Sequence, residues 1–203
     1  MKLYYSPGAC SLSPHIALCE SGLAFEAVLA PTKTKQLPDG TSYLAVNPNG
    51  YVPLLELDDG QRLTEGPAIV QYIADQVPAK NLAPANGTMP RYRLQEWLNF
   101  VGSELHKGCF TLLFNPGVDA STKEAARLRL AGRLKWVNEQ LEGKTYLLGV
   151  DFSVADGYLF VVTNWAKPMG VDLTPYPHLL AFRERVGARP AVQAAMKAEG
   201  LLG

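Results

Sequence analysis

Short apolar runs alternate with helical patterns over the first 78 residues of the chain. Lys2–Tyr5 predicts a strand, Ser11–Ser21 predicts a helix that ends at Gly22, and Phe25–Leu29 predicts a second strand. Because a helix separates the two strands, we expect them to pair in parallel. The chain therefore opens with a βαβ unit.

A hairpin and a further helix complete this first half. The apolar runs Pro53–Leu57 and Arg62–Thr64 flank the sequence Asp58-Asp59-Gly60-Gln61, and Asp-Gly between apolar runs is typical of a hairpin turn. A helix is predicted over Pro67–Gln76, and one or two helical turns are predicted earlier, over Thr41–Val46. The expected order is βαβ, a short helix, and then ββα.

The second half has helical spacing and predicts no strand. Residues 79–90 lack periodicity and contain two prolines and a glycine, so they are predicted to be a linker. Long helices are predicted over Arg91–Leu113 and Lys123–Gln140, and Ser153–Asp156 predicts a capping box at the start of another helix. We therefore expect an α/β domain over residues 1–78 and an all-α domain over residues 91–203.

Composition narrows the classes of function. The 203 residues include 19 Lys and Arg and 19 Asp and Glu, so the net charge is zero and offers no positive excess for nucleic acid. No apolar run approaches the roughly 18 residues that a membrane span needs, and prolines and polar residues interrupt any secretion signal near the amino terminus. Three scattered cysteines do not make a disulfide framework, so we expect a cytoplasmic protein.

Cys10 is the first candidate for chemistry. It follows a predicted strand and precedes a predicted helix, where free amides and the positive end of the helix dipole favour a thiolate. The sequence Cys10-Ser11-Leu12-Ser13 has the form of a Cys-x-x-Cys motif with Ser in the last place, so it could form a mixed disulfide but not resolve it. Cys19 lies roughly 13 Å further along the helix, beyond the reach of a disulfide. The alternative is a buried, inert cysteine.

Two loops of the first half carry further candidates. Val52, before Pro53, would offer its backbone amide and carbonyl to an extended peptide, unless Pro53 is an ordinary trans proline that starts a strand. In Thr64-Glu65-Gly66 a helix amino terminus attracts an anion while the Glu65 carboxylate accepts from an amine. Together these two groups suit an α-amino-acid head group, and the alternative is simple helix capping.

The predicted long helix carries a line of polar residues. Asn99, Ser103 and His106 are spaced i, i+4 and i+7, so they share one face. This face could contact a ligand held beside the other domain, or it could be a solvated surface. Cys109, three residues further on, is predicted to pack in the core.

These features together resemble the bacterial glutathione S-transferases, and within them the beta class, which has a cysteine near its first helix. The resemblance covers the whole chain, and its most specific segments are MKLYYSPGACS, NPNGYVPLLELDDG and LTEGPAIVQYIA. It implies a thioredoxin-like first domain, a helical-bundle second domain that completes the electrophile pocket, and a homodimer with sites near the interface.

The resemblance also implies the catalytic residues. Cys10 would contact glutathione sulfur and could join it covalently, with Ser11 as a second hydrogen-bond donor. His106 would handle the proton and act as a polar partner of the sulfur. Other classes of the family use a tyrosine near Tyr5 or a serine near Ser11, but the cysteine class matches through the rest of the motif.

Glutathione-binding residues follow by the same match. Lys35 would meet the glycine carboxylate, Val52 would pair with the cysteinyl unit, and Glu65 with Gly66 would hold the γ-glutamyl end. No metal is implied. The residues of the second domain that match a stretch lining the site are Asn99, Ser103, Glu104, Leu105 and His106.

The expected activity is conjugation of glutathione to small apolar electrophiles, together with thiol–disulfide exchange through Cys10. One alternative is glutathione-dependent reductive dehalogenation of chlorinated aromatics. Another is a ligand-binding or regulatory protein of low activity. The sequence does not identify the electrophile, because the fold does not determine the substrate.

Overall fold

A four-stranded mixed sheet forms within the first 64 residues. The computed structural model describes residues 1–202. The strands are β1 (Lys2–Tyr5), β2 (Glu26–Leu29), β3 (Leu54–Glu56) and β4 (Arg62–Thr64). Their order in the sheet is β2-β1-β3-β4, with β1 parallel to β2 and antiparallel to β3, and β3 antiparallel to β4. The predicted parallel pair and the predicted hairpin are both confirmed.

The hairpin turn between β3 and β4 depends on Gly60. This residue has φ 83°, in the left-handed region that glycine enters without a steric penalty. Its N–H donates to the Leu57 carbonyl at 3.0 Å, and the Leu57 N–H donates to the Gln61 carbonyl at 2.8 Å. The Asp-Gly pair of the sequence therefore closes this turn.

The helices of this part begin and end close to the predicted residues. Helix α1 covers Leu12–Ser21 and ends at Gly22, whose φ is 73° and whose N–H donates to the Leu18 carbonyl at 3.1 Å. Helix α2 covers Gly66–Gln76. The short helix predicted over Thr41–Val46 is a 3-10 turn at Tyr43–Ala45.

The rest of the described chain is helical. The long helix starts at Met89, two residues before the predicted start, because the Thr88 side chain caps it by accepting the Arg91 N–H. A π-helical segment, Val101–Phe110, interrupts it, which the sequence spacing did not predict. The helices are α3 (Met89–Phe100), α4 (Thr111–Phe114), α5 (Ala120–Gln140), α6 (Val154–Asn164), α7 (Pro177–Gly187) and α8 (Pro190–Ala198).

The chain divides into two compact units. Unit 1 contains Met1–Leu82 and the segment that begins at Arg189, and unit 2 is Ala83–Ala188. Helix α8 therefore groups with the sheet, whereas the sequence analysis assigned it to the second domain. The cause is its packing against α1, where Arg189 also binds the Glu20 carboxylate through two hydrogen bonds of 2.6 and 2.9 Å.

Each unit has its own apolar core. In unit 1, Tyr4, Leu37, Tyr43, Val52 and Leu54 form one buried cluster with Ala30. In unit 2, α6 is buried along nearly its whole length and begins at the predicted capping box, which is confirmed. Within residues 1–202, no helix is both long and apolar enough to cross a membrane.

Candidate functional site

Cys10 lies in the turn between β1 and α1 of unit 1. The turn is closed by a hydrogen bond of 3.0 Å from the Ala9 N–H to the Ser6 carbonyl. The half-buried Cys10 thiol donates to the Val52 carbonyl, with 3.3 Å between Sγ and O. The sulfur is therefore held beside the residue that precedes β3, and the two segments singled out independently in the sequence meet here.

Ser11 stabilises the same turn from inside. It is fully buried, and its hydroxyl donates to the Ser6 carbonyl at 3.2 Å while accepting the Ser6 N–H at 3.1 Å. The hydroxyl proton is thus already used within the turn. In this arrangement Ser11 positions Cys10 rather than offering a second donor to a ligand.

Glu199, which the sequence did not indicate, also holds the Cys10 turn. Its carboxylate accepts the Gly8 N–H at 2.9 Å through Oε2 and contacts His15 Nδ1 at 2.8 Å through Oε1. Both Glu199 and His15 are buried. The segment after α8 is therefore fastened to the turn between β1 and α1. The 184 residues that separate this pair explain why no local pattern predicted it.

The loop before β3 is held by two more residues that the sequence did not indicate. The Tyr43 hydroxyl and the Asn47 side-chain amide both donate to the Tyr51 carbonyl, each at 2.8 Å. The next peptide bond, Val52–Pro53, is cis. These contacts fix the backbone immediately before Val52, whose carbonyl receives the Cys10 thiol. Only the position of Asn47 within the NPNGYVP segment could have indicated its role.

Lys35 lies beside the same loop. Its ammonium group donates to the Gly50 carbonyl, and Nζ lies 5.9 Å from the centre of the Tyr51 ring. An ammonium group has three donors, so the bond to Gly50 leaves capacity for a carboxylate. Lys35 is therefore a positive group held beside Gly50 and Tyr51, on the loop that also carries Val52.

Glu65 precedes the first residue of α2, as predicted, but its side chain does not cap the helix. The Ala68 and Ile69 amides are bound instead by the Glu65 backbone carbonyl, each at 3.0 Å. Pro67 has no N–H, and a helix leaves the amide of its first residue, here Gly66, without a partner inside the helix. The alternative that Glu65 serves as a capping side chain is wrong, and its exposed carboxylate faces solvent.

Lys35 and Glu65 both have a strained backbone conformation. Within residues 1–202, three residues other than glycine have positive φ: Lys35 at 56°, Glu65 at 65° and Asn81 at 53°. Asparagine tolerates this region, but Lys and Glu do so at a cost of order 1–3 kcal/mol. Such strain is typical of functional sites, and here it affects both groups that the sequence analysis assigned to the charged ends of a ligand.

Asn99 and Ser103, two of the three aligned polar residues of unit 2, donate hydrogen bonds to carbonyl groups of their own helix. Asn99 donates from its side-chain amide to the Gln95 carbonyl at 2.9 Å, and the Ser103 hydroxyl donates to the Asn99 carbonyl at 2.9 Å. Both residues are exposed. Their side-chain oxygens therefore remain available as acceptors.

Glu104 and Leu105 anchor the π-helical segment within unit 2. The Glu104 carboxylate accepts from Arg129 and Arg133 of α5, both at 2.8 Å, and these bonds lower the pKa of the carboxyl group. The Leu105 side chain is fully buried. Leu105 therefore packs in the core of unit 2, and Glu104 serves as a link to α5.

His106 is held as a neutral imidazole. Its Nδ1 lies 2.8 Å from the Tyr158 hydroxyl, and its ring centre lies 4.9 Å from that of Trp165. Burial, with a smaller contribution from Lys107, lowers the pKa of His106 to about 4. At neutral pH the ring is uncharged, and its low pKa makes it a weak proton acceptor that can still form hydrogen bonds.

The other two cysteines take no part in this arrangement. Cys109 is fully buried, which confirms the prediction of core packing, and burial raises the pKa of its thiol. Cys19 is half-buried on α1, and burial likewise raises the pKa of its thiol. All three cysteines are free thiols.

Comparison with known proteins gives two family matches along the chain. Residues 8–76 match the family model described as glutathione S-transferase, N-terminal domain, and residues 101–190 match the one described as glutathione S-transferase, C-terminal domain. Glutathione S-transferase GstA of Escherichia coli O157:H7 is 47% identical over 201 residues, covering 99% of this chain and 100% of the relative.

Solved structures give the same result over the full length. A ternary complex of BphK, described as a bacterial GST, has a TM-score of 0.97 at 61% identity and covers 99% of this chain and all of the other. A sphingomonad glutathione S-transferase complexed with glutathione has a TM-score of 0.95 at 49% identity, with the same coverage. The bacterial beta-class enzyme of Sphingomonas chungbukensis has a TM-score of 0.95 at 50% identity, and both chains are covered completely.

Proposed function

This chain belongs to the glutathione S-transferase family, in its bacterial beta class, and we propose that it conjugates glutathione to small apolar electrophiles and exchanges thiols with disulfides through Cys10. The observation that carries the proposal is the contact of 3.3 Å between Cys10 Sγ and the Val52 carbonyl. A cysteinyl unit paired with Val52 would bring its own sulfur next to Cys10.

Two charged residues of unit 1, Lys35 and Glu65, would bind the two charged ends of glutathione. Lys35 would bind the glycine carboxylate with the donors that Gly50 leaves unused. Glu65 would accept from the γ-glutamyl ammonium group, and the Gly66 amide would donate to the neighbouring carboxylate. The strained backbone of Lys35 and Glu65 supports these roles, because strain of this kind is typical of binding and catalytic positions.

In conjugation, the glutathione thiolate attacks the electrophilic carbon, a carbon–sulfur bond forms, and the leaving group departs with the bond's electron pair. We propose that His106 handles the thiol proton and is a polar partner of the sulfur. Its low pKa makes it a weak base, so its neutral imidazole supports the second role, that of a hydrogen-bond partner. Trp165 also contacts Phe110 and the partly exposed Phe114, with ring centres 5.8 and 5.6 Å apart. Of these three rings only Phe114 is exposed, and this exposed aromatic side chain supports an apolar second substrate.

In exchange, the Cys10 thiolate attacks a disulfide sulfur, forms a mixed disulfide, and releases the other sulfur as a thiolate. A glutathione thiolate then attacks the glutathione sulfur of the mixed disulfide, which frees Cys10 and forms oxidised glutathione. Ser13 stands where a resolving cysteine would be, so the second step uses an external thiol.

A charge-removing substitution at Lys35 tests the binding mode. Lys35→Gln keeps a donor for the Gly50 carbonyl but loses the positive charge, so we expect glutathione affinity to fall by about fivefold at low salt, since an ion pair of this kind contributes about 1 kcal/mol. The difference should shrink at high salt because exposed charges are screened. Titration calorimetry at two salt concentrations measures both effects.

The matched control is Lys33→Gln, which removes an exposed charge two residues away. It should leave glutathione affinity unchanged. Wild-type affinity for Lys35→Gln at low salt, or an equal loss in both variants, would remove Lys35 from the binding site.

We also propose that the chain forms a homodimer, as its family resemblance implies. A groove of about 770 Å³ on unit 2 supports this, because aromatic side chains line it and two of its residues, Met89 and Trp136, are exposed apolar groups. Sedimentation equilibrium should give twice the mass of one chain, and Trp136→Glu should weaken the association. A single-chain mass at all accessible concentrations would contradict the proposal.

A further inference from the structure

The helix that carries His106 changes its hydrogen-bond pattern along its length. It is α-helical over Met89–Phe100, π-helical over Val101–Phe110 and α-helical again over Thr111–Phe114. In a π turn each residue pairs with the residue five positions away instead of four, and such turns are rare and occur frequently at functional sites. A π segment at this position therefore calls for a cause in the sequence.

Gly108 provides that cause. A Cβ atom built on Gly108 would lie 2.6 Å from the backbone carbonyl oxygen of Ser103, five residues earlier, which is closer than real Cβ atoms approach. The backbone of Gly108 is not in the left-handed region, so its φ angle does not require glycine. Glycine is required here because a Cβ atom would collide with the Ser103 carbonyl. Gly102, in the same segment, differs: its nearest contact would be the Tyr158 hydroxyl at an ordinary 3.6 Å.

The turn that Gly108 closes contains His106. A single residue added to or removed from an α-helical path rotates the subsequent residues by about 100°, since 3.6 residues make one turn. His106 contacts Tyr158 through Nδ1 at 2.8 Å and Trp165 at 4.9 Å between ring centres. Its carbonyl also accepts the Thr111 hydroxyl at 3.0 Å. A return of this turn to α geometry would break this set of contacts.

We infer that Gly108 is a positioning residue of this transferase: by leaving room for the Ser103 carbonyl, it maintains the π turn that directs His106 toward Tyr158 and Trp165. Gly108 itself touches no substrate. The inference rests on the proposed role of His106 in the reaction, and its structural part can be measured without any assay of activity.

The test compares Gly108→Ala with two glycine-to-alanine controls. Gly102→Ala lies in the same π segment without a close contact, and Gly132→Ala lies on α5 where a Cβ meets nothing within 4 Å. The chain has three histidines, so His106 can be titrated by NMR. In Gly108→Ala we expect the pKa of His106 to rise from about 4 toward the ordinary value of about 6.5. We also expect kcat to fall about tenfold, the loss of about one hydrogen bond, with a smaller change in the KM for glutathione.

Both control variants should keep the wild-type titration, kcat and KM. An unchanged His106 titration in a folded Gly108→Ala protein overturns the inference, whatever happens to kcat. A shifted titration with unchanged kcat supports the positioning by Gly108 and instead refutes the proposed role of His106 in the transfer.

A second variant covers the case in which Gly108→Ala does not fold. Tyr158→Phe removes the hydroxyl that contacts His106 Nδ1 and keeps the ring. It should lower kcat, while the His106 titration, which burial mainly sets, stays near its wild-type value. If Tyr158→Phe leaves kcat unchanged, the contact that the π turn is inferred to maintain has no effect, and the inference is overturned.

Discussion

The Cys10→Ala variant should lose glutathione-dependent disulfide exchange completely while it keeps a measurable part of the conjugating activity. Exchange needs a thiolate that forms the mixed disulfide, and no other cysteine can replace it. Cys109 is fully buried, and Cys19 is half-buried on α1, where burial raises the pKa of its thiol. Conjugation uses the sulfur of glutathione itself, so Cys10 contributes at most a neutral donor worth about 1 kcal/mol, or about fivefold in rate.

Cys10→Ser sharpens the comparison. The serine hydroxyl can still donate to the Val52 carbonyl but cannot form a disulfide. We therefore expect this variant to lose exchange as completely as Cys10→Ala does, and to keep more of the conjugating activity. Cys19→Ala is the matched control for loss of a thiol, and it should keep both activities.

Two assays and one mass measurement decide the matter. Conjugation is followed with an aryl halide and exchange with a mixed disulfide, and the wild-type protein is analysed by mass spectrometry after treatment with oxidised glutathione. Equal loss of both activities in Cys10→Ala contradicts the division of roles. So does a Cys10 peptide that gains no glutathione mass.

The sequence predicted the sheet because its signals are local. The apolar runs have strand length, Gly22 ends α1 with a positive φ, and the Asp-Gly pair closes the hairpin through Gly60. The helix starts were less accurate because capping side chains extend them: Thr88 adds two residues to α3, and Asp119 adds three to α5 by accepting the Thr122 N–H. Periodicity alone does not detect such caps when they lie outside the apolar stripe.

The parts that the sequence did not predict depend on contacts between distant residues. Glu199 holds Gly8 and His15 across more than 180 positions, and packing against α1 groups α8 with the sheet. The π segment escaped prediction because its apolar residues, such as Val101 and Leu105, keep the i, i+4 spacing of an ordinary helix. The space that it needs at Gly108, beside the Ser103 carbonyl, is visible only in the folded chain.

For the candidate site, the sequence predicted which residues are candidates better than it predicted their hydrogen bonds and backbone conformations. It indicated Cys10, Val52 and Glu65, and these lie on the loops and helix end where they were expected, while Lys35 was indicated by the family resemblance. It could not indicate that the Cys10 thiol donates to Val52, or that Lys35 and Glu65 have strained backbones. Such features arise only once the loops are folded against each other.

The largest effect on stability is expected from Asp156→Ala. Asp156 is fully buried at the start of α6 and accepts three hydrogen bonds. The Leu147 N–H donates to it at 2.8 Å, and the N–H and hydroxyl of Ser153 donate at 2.8 and 2.7 Å. Each buried N–H left without an acceptor costs about 1–3 kcal/mol, so we expect the free energy of unfolding of unit 2 to fall by about 3–5 kcal/mol.

The chain offers a convenient probe and control for this measurement. All three tryptophans, Trp97, Trp136 and Trp165, belong to unit 2, so their fluorescence during urea denaturation reports on that unit. Asp151→Ala removes an exposed aspartate five residues away and should change the free energy of unfolding by less than about 0.5 kcal/mol. If the two variants unfold at the same urea concentration, Asp156 does not hold the start of α6.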